Sequence, residues 1–386
     1  MNLERVLAVA MERAEPFTRA ELVDATGLSV PTIGSLTTDL IRLGIVRDLG
    51  AGPSSGGRRP SFMEFNARHG FVAGIDIGPT RTRLAVGNLR GEALAQRVVE
   101  TPTAADPTAF LNSIGSDLRA LMRETQVPVS RVLAIAAGAP GAVDPERGLV
   151  IALAPNLGGG WSEVPMAAIL RKALGAPVVA ENDVNLAILG ERWRGAARGH
   201  ATCAFISIGT GIGAGIVIKG ELHHGDHFVA GEIALMCMGP QYVEADFGSR
   251  GCFETLAGLK GIAERWSGNG AGGRGWVRGL FDAARAGDAR AQTIVDETVR
   301  LIAMATANLD VVLDPSLIIL GGSLVAQAPE VVDEVRRIVA RIVPTPATIV
   351  PPALAEEAPL WGALLMATSE ARERLRRQLG SVVHVK

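Results

Sequence analysis

The sequence predicts an N-terminal winged helix-turn-helix followed by two α/β lobes that face each other across a cleft. Three observations predict it. The first 66 residues carry three short amphipathic helix patterns and then two strand patterns. "IDIGPTRTRLAV" from Ile75 and "ISIGTGIGAGIV" from Ile206, about 130 residues apart, share one pattern of strand, glycine turn and strand. After each of them helix and strand patterns alternate, as in "VLAIAAGAPGAV" and "PVVAEND" in the first half and "SLIILGGSLV" in the second.

Composition supports several large cores. Of 386 residues, 48% are hydrophobic and 20% charged, which excludes global disorder. The net charge is −2, so nucleic-acid binding would need a local surface and not the field of the whole molecule. Cys203, Cys237 and Cys252 are odd in number and widely spaced, which argues for a reducing compartment and against a disulfide framework. Cys203 and Cys237 are expected as small apolar filler. No apolar run reaches transmembrane length. The start, "MNLERVLAVAMERAEPF", is interrupted by Glu and Arg and reads as an amphipathic helix, not a signal peptide. A cytoplasmic protein with no membrane partner is expected.

The first helix is expected from Leu3 to Ala14. "TRAE" announces the second, with Thr18 as N-cap and Glu21 completing a capping box. Gly27 makes the turn and Ser29 caps a third helix, Val30 to Leu43, whose Pro31 is tolerated in the first turn. Its outward positions are Thr32, Ser35 and Thr38, with Thr37 or its neighbours. "GIVRDLG" and "SFMEFN" read as strands around "AGPSSGGRRP", a loop ending in Arg58 and Arg59. A helix-turn-helix followed by an arginine-tipped hairpin is a winged helix, with the arginines on phosphates or in the minor groove. Residues 1–70 hold about as many acids as bases. Base reading by Thr32, Ser35 and Thr38 would rest on hydroxyls and methyls, and affinity on the wing and on two copies acting together.

In the two lobes, ligands are expected where the glycine-rich turns converge. From about residue 70 to the end the chain resembles the ROK family (repressors, open reading frames and sugar kinases), within the actin/hexokinase-like, ribonuclease H-like fold. With the winged helix in front it resembles the repressor branch. The expected organisation is 1–66 for the DNA-binding domain, 70–192 plus 360–386 for the first lobe, and 193–359 for the second.

The resemblance assigns roles by motif. "GIDIGPT" matches the first phosphate loop: Asp76 would orient Mg²⁺ or its waters, and Gly78 and Thr80 would approach phosphates. Pro79 stands where the kinases have a second glycine, and it brings no N–H donor. "GTGIGAG" matches the second loop, with Gly209, Thr210, Gly211 and Gly213. "ILGGSL" matches the adenosine-side motif, with Gly321 and Gly322, although a turn packing strand on helix would look the same. In "VAENDVN", Asp183 matches the general base of the kinases and Asn182 a sugar contact; on local pattern alone Asp183 caps a helix. Asn156, Glu232 and Glu254 match further sugar contacts, and "GAPGAVD" the cleft wall.

Two departures matter. Leu235 stands where most members have a histidine that binds sugar and zinc, and Ala245 and Phe247 replace two of the three zinc cysteines, leaving Cys252. A structural zinc is therefore expected to be absent. The resemblance then implies a sugar-responsive regulator that binds operator DNA as a dimer or higher oligomer, holds a sugar or sugar phosphate, and needs no cofactor. The alternative is an ATP- and Mg²⁺-dependent sugar kinase with an appended DNA-binding domain. "SGNGAGGRGW", Ser267 to Trp276, is expected as a mobile surface loop.

Overall fold

A computed structural model describes residues 2–51, 60–102, 106–152, 157, 160–266 and 275–383, with side chains described to 379. The expected loop at 267–276 falls almost wholly outside these residues.

The N-terminal unit begins with α1 (Asn2–Glu12), which buries Leu3, Val6, Leu7, Ala10 and Met11. That spacing is one face of an amphipathic helix. A short strand, β1 (Phe17–Thr18), leads into α2 (Arg19–Thr26). The capping box forms: the Glu21 N–H donates to Thr18 Oγ1 at 3.3 Å, and the Thr18 N–H donates to the Glu21 carboxylate at 2.7 Å. Gly27 ends α2 in the left-handed region, and Ser29 caps α3 (Val30–Arg42). β2 (Val46–Ala51) and β3 (Ser61–Phe65) pair antiparallel, and β1 joins the other side of β3. Two residues are too few to show an alternation, so β1 has no sequence signal. Thr37, expected on the outer face of α3, is buried and accepts from Arg19 Nε at 2.9 Å. Its hydroxyl donates back to Ile33 O, which turns it toward the helix and the core.

The first lobe contains β4 (Phe71–Ile77), β5 (Arg81–Asn88), β6 (Ala93–Glu100), α4 (Pro107–Glu124), β7 (Val132–Ala139), β8 (Ala142–Asp144), β9 (Leu149–Ala152), α5 (Met166–Leu174), β10 (Val178–Asn182) and α6 (Asp183–Arg194). Its main sheet has the order β10–β7–β4–β5–β6. The second lobe contains β11 (Cys203–Ile208), β12 (Ile212–Ile218), β13 (Glu221–Leu222), α7 (Cys252–Ala257), α8 (Leu259–Trp266), α9 (Trp276–Arg285), α10 (Ala289–Leu313), β14 (Leu317–Gly321), α11 (Ser323–Gln327), α12 (Glu330–Ile342) and β15 (Thr348–Val350). Its sheet has the order β13–β12–β11–β14–β15.

The two sheets are topological copies. Each has a central strand paired antiparallel to the next in sequence and parallel to a later one, with a second parallel strand beyond. The repeat seen in "IDIGPTRTRLAV" and "ISIGTGIGAGIV" is thus the central hairpin of each sheet. β4 is buried along its whole length because α4 and α5 cover one face of its sheet, and the last helix, α13 (Ala358–Val383), covers the other.

α13 joins the parts. Leu360, Ala363, Leu364, Ala367, Ala371, Leu375 and Leu379 are buried in one stripe. They share a core with Leu3, Val6 and Leu7 of α1, Val72 of β4 and Leu186 of α6. Each buried leucine contributes roughly 1.5–3 kcal/mol. Arg90 Nη1 also donates to Arg13 O at 2.8 Å, and Arg372 Nε to Leu89 O at 2.9 Å. Where the chain passes between the lobes, both passages dock on one buried carboxylate. Glu191 accepts from the N–H groups of Ala196 at 2.7 Å, Ala353 at 3.2 Å and Leu354 at 2.8 Å.

Candidate functional site

The N-terminus of α6 organises the cleft. β10 ends at Asn182, which caps the helix: its Oδ1 accepts from Val184 N–H at 2.8 Å and Asn185 N–H at 3.0 Å. Its Nδ2 donates to Gly141 O at 2.9 Å. Asn182 therefore lines the cleft, as expected, but the protein uses its oxygen fully and one of its two N–H groups. Asn182 is the N-cap, and the Asp183 carboxylate shares in holding the helix start, its Oδ1 accepting from Val184 N–H at 2.9 Å.

Asp183, on the first turn of α6, is half-buried, and its second carboxylate oxygen takes no part in the bond to Val184. Burial, with the nearby charges of Asp76 and Glu232, pushes its carboxyl up to about 7. Burial and Glu254 push Glu232 up to about 7 as well. Asp76, at the end of β4, is buried, and burial raises it to about 6 against the pull of Arg83, whose Nη1 lies 3.4 Å from Asp76 Oδ2. With Glu254, these four acids from four segments form one cluster. Glu254 is buried on α7, and its Oε2 accepts from Ile212 N–H at 2.9 Å, which fixes it to the second hairpin. Such groups suit hydroxyls, which both donate and accept, and a carboxyl near 7 can take up a proton at neutral pH.

The cleft wall is formed by Gly141, Val143, Asn182, Asn185, Gly213, Ala214, His224, Phe228, Ala230, Gly231 and Glu232. Gly141 and Val143 belong to the expected cleft-wall motif. Gly213 is on this wall, beside Val184 of α6. A Cβ on Gly215 would meet Val184 O at 2.4 Å, so this glycine lets α6 pack onto the second hairpin. Part of "GTGIGAG" thus serves packing.

The phosphate end is less well furnished. The N–H of Gly78 donates to Arg81 O at 3.0 Å, and Pro79 has none. Thr80 is exposed on the same turn. In the second turn the N–H of Gly209 donates to Gly211 O at 2.9 Å, with Thr210 half-buried between them. Gly321 and Gly322 adjoin this turn: Gly321 packs on the Phe205 ring and Gly322 on the backbone of Ile208. With Gly78 and Gly209 occupied and Asp76 facing Arg83, these donors fit a nucleotide and its Mg²⁺ poorly. Zinc donors fit no better. Leu235 is 46% exposed, and among the described residues no group of three His, Cys, Asp or Glu is placed to hold a metal. Cys203 and Cys252 are buried, but Cys237, expected as filler, is exposed in the loop before Gly239.

Ser35 and Thr38 are exposed on α3, and Thr32 is half-buried with its hydroxyl 2.7 Å from that of Ser29. Arg58, Arg59 and Asn156 lie outside the described residues. Three residues on or beside the cleft were missed in the sequence: Glu181, Asn185 and His224. Asn185 had a usable signal, since it follows the Asn182 cap by one helical turn. His224 had none, because only the fold brings it across the cleft.

The ROK family model matches residues 72–370. A xylose repressor from Caldicellulosiruptor bescii is 28% identical over 315 residues, 78% of each chain. A glucokinase from Streptomyces coelicolor is 31% identical over 284 residues, 69% of this chain and 86% of that enzyme. The crystal structure of a ROK family transcriptional regulator, described as a homolog of E. coli MLC protein, has a TM-score of 0.77 at 22% identity, covering 97% of this chain and 98% of that one.

Proposed function

The chain belongs to the ROK family, and we propose that it is a sugar-responsive transcriptional repressor. One observation carries this reading. α13 packs in a single core with α1 of the N-terminal unit and with α6, whose first turn holds Asp183 of the cleft. A change in the cleft can thereby shift the N-terminal unit, provided ligand prefers one arrangement of the lobes. The similarity to a xylose repressor over 78% of the chain supports the same reading.

In this proposal residues 1–66 are a winged helix-turn-helix, with α2 and α3 as the helix pair and β2–β3 as the wing. Ser35 and Thr38, with Thr32, touch DNA, and Arg58 and Arg59 bind phosphates from the wing. Arg42, the basic residue ending α3, is paired with Asp39 at 2.8 Å. A single head therefore has little free charge, and binding needs a dimer on two half-sites. The lobes are 70–192 with 360–386, and 193–359, and a sugar or sugar phosphate sits against Asp183, Glu232, Glu254, Asn182 and Asn156. The setting is the cytoplasm; no helix among the described residues is long and apolar enough to cross a membrane.

A second reading, an ATP-dependent sugar kinase, is favoured by Asp183, a carboxyl near 7 at the position of the family's base, and by the glucokinase similarity. The occupied turn amides and Pro79 weigh against it.

Fluorescence anisotropy tests the proposal, using the purified protein, the DNA upstream of its own gene, and D-xylose, D-glucose and other monosaccharides at fixed salt. Sequence-preferring binding that one sugar shifts at least about tenfold is expected. Equal affinity for random DNA would overturn it.

A further inference from the structure

The cleft holds a buried acceptor that none of the described residues uses. Asn185 is 5% exposed and lines the cleft beside Glu232 and His224. Its Nδ2 donates to Glu181 Oε1 at 2.9 Å. Because a carboxylate only accepts, this bond fixes which end of the amide is which. Its Oδ1 is buried and has no partner among the described residues. An unpaired buried acceptor is unfavourable, and pairing it is a gain that a ligand can supply.

Glu181 holds this arrangement in place. It is 1% exposed, and its Oε1 also accepts from the Asn182 N–H at 2.8 Å. Its Oε2 lies 2.8 Å from Nε2 of His224, which comes from the second lobe, in the loop after β13. Phe228 packs edge-on against the imidazole, with ring centroids 6.4 Å apart. One carboxylate thus ties together the cap of α6, the Asn185 amide and the opposite wall.

Resting on the sugar-binding reading, we propose that Asn185 is a specificity-determining residue: its Oδ1 accepts a hydrogen bond from one hydroxyl of the bound sugar, and Glu181 and His224 are positioning residues that aim it. A site built to bind a hydroxyl rejects the analogue that lacks it, because the acceptor is then left unpaired. Asn185 thereby selects by the position of one hydroxyl, which general polarity could not do.

The test is isothermal titration of the full-length protein with D-xylose, D-glucose and their monodeoxy analogues. The wild type is expected to bind one parent sugar and to lose at least about tenfold affinity when one particular hydroxyl is removed. Asn185→Ala should bind the parent at least about tenfold more weakly and should no longer distinguish it from that one analogue, while still distinguishing the others. Asn185→Ser carries the same comparison if the alanine variant does not fold. Glu181→Gln should weaken the same discrimination selectively. If Asn185→Ala keeps the wild-type discrimination, the inference falls and the sugar-binding reading stands. If the wild type binds no sugar, both fall.

Discussion

The two ends of the cleft use the same hairpin architecture in different ways. At the sugar end, Asp183, Glu232 and Glu254 are held by a capped helix and by the second hairpin, and two of the three have carboxyls near 7. At the phosphate end, the turn amide of Gly78 is closed back on Arg81 O, Pro79 offers none, and Asp76 faces Arg83. A polar site stays useful for recognition when its groups remain aimed at a ligand. A phosphate cradle requires free N–H groups, and here the turns use those of Gly78 and Gly209 themselves. The comparison teaches that one hairpin architecture can keep a cluster of buried acids at one end while its glycine turns spend two of their own amides at the other.

The largest expected effect breaks the sugar end outright. Gly231, which precedes Glu232, has φ +91°, and a Cβ there would meet Ala214 O at 1.9 Å. Gly231→Ala should cost about 3 kcal/mol or more in urea unfolding. A loss under about 1 kcal/mol would show that this wall moves freely and that the contrast is overstated.

The next effect is on pH. Burial raises Asp183 and Glu232 to about 7 and Asp76 to about 6. Between about pH 4, where these groups titrate in the unfolded chain, and pH 7, the folded state holds more protons. Stability of the ligand-free protein should therefore fall as pH rises through this window. Asp183→Asn with Glu232→Gln should remove most of this slope. Unchanged melting curves would mean that these carboxylates are better hydrated than their burial implies.

Smaller effects sharpen the phosphate end. Turnover of ATP with D-glucose is expected below about 1 s⁻¹, and Asp183→Asn should remove whatever activity is found without lowering the melting temperature. Activity that survives the substitution would sink the base assignment. The smallest effect belongs to Pro79→Gly, which should leave DNA affinity within about twofold. A larger loss would make that turn part of the regulatory fold.

Much of this was legible because local chemistry is short-ranged. Thr18 and Glu21 announce their capping box within four residues, and the repeated glycine hairpins reveal the two matching sheets. The stripe Leu3, Val6, Leu7, Ala10 and Met11 gives away its buried face. Misreadings arose where a side chain answers to distant partners. Thr37 turned inward to meet Arg19, and no local pattern shows that Gly213 and Gly215 lie close to Val184 of α6. Cys237, apolar in composition, ended on the surface.

The sequence by itself determined the three N-terminal helices, the caps Thr18 and Ser29, the duplicated hairpin and the family, because each depends on residues a few positions apart or on a motif kept whole. Only the tertiary structure decided which amides remain free, which acids raise one another's proton affinity, and that Glu181 joins His224 to Asn185 across the cleft. Those properties depend on burial and on distances between segments far apart in the chain. A residue's type names what it can do, and its packed surroundings decide whether it can do it.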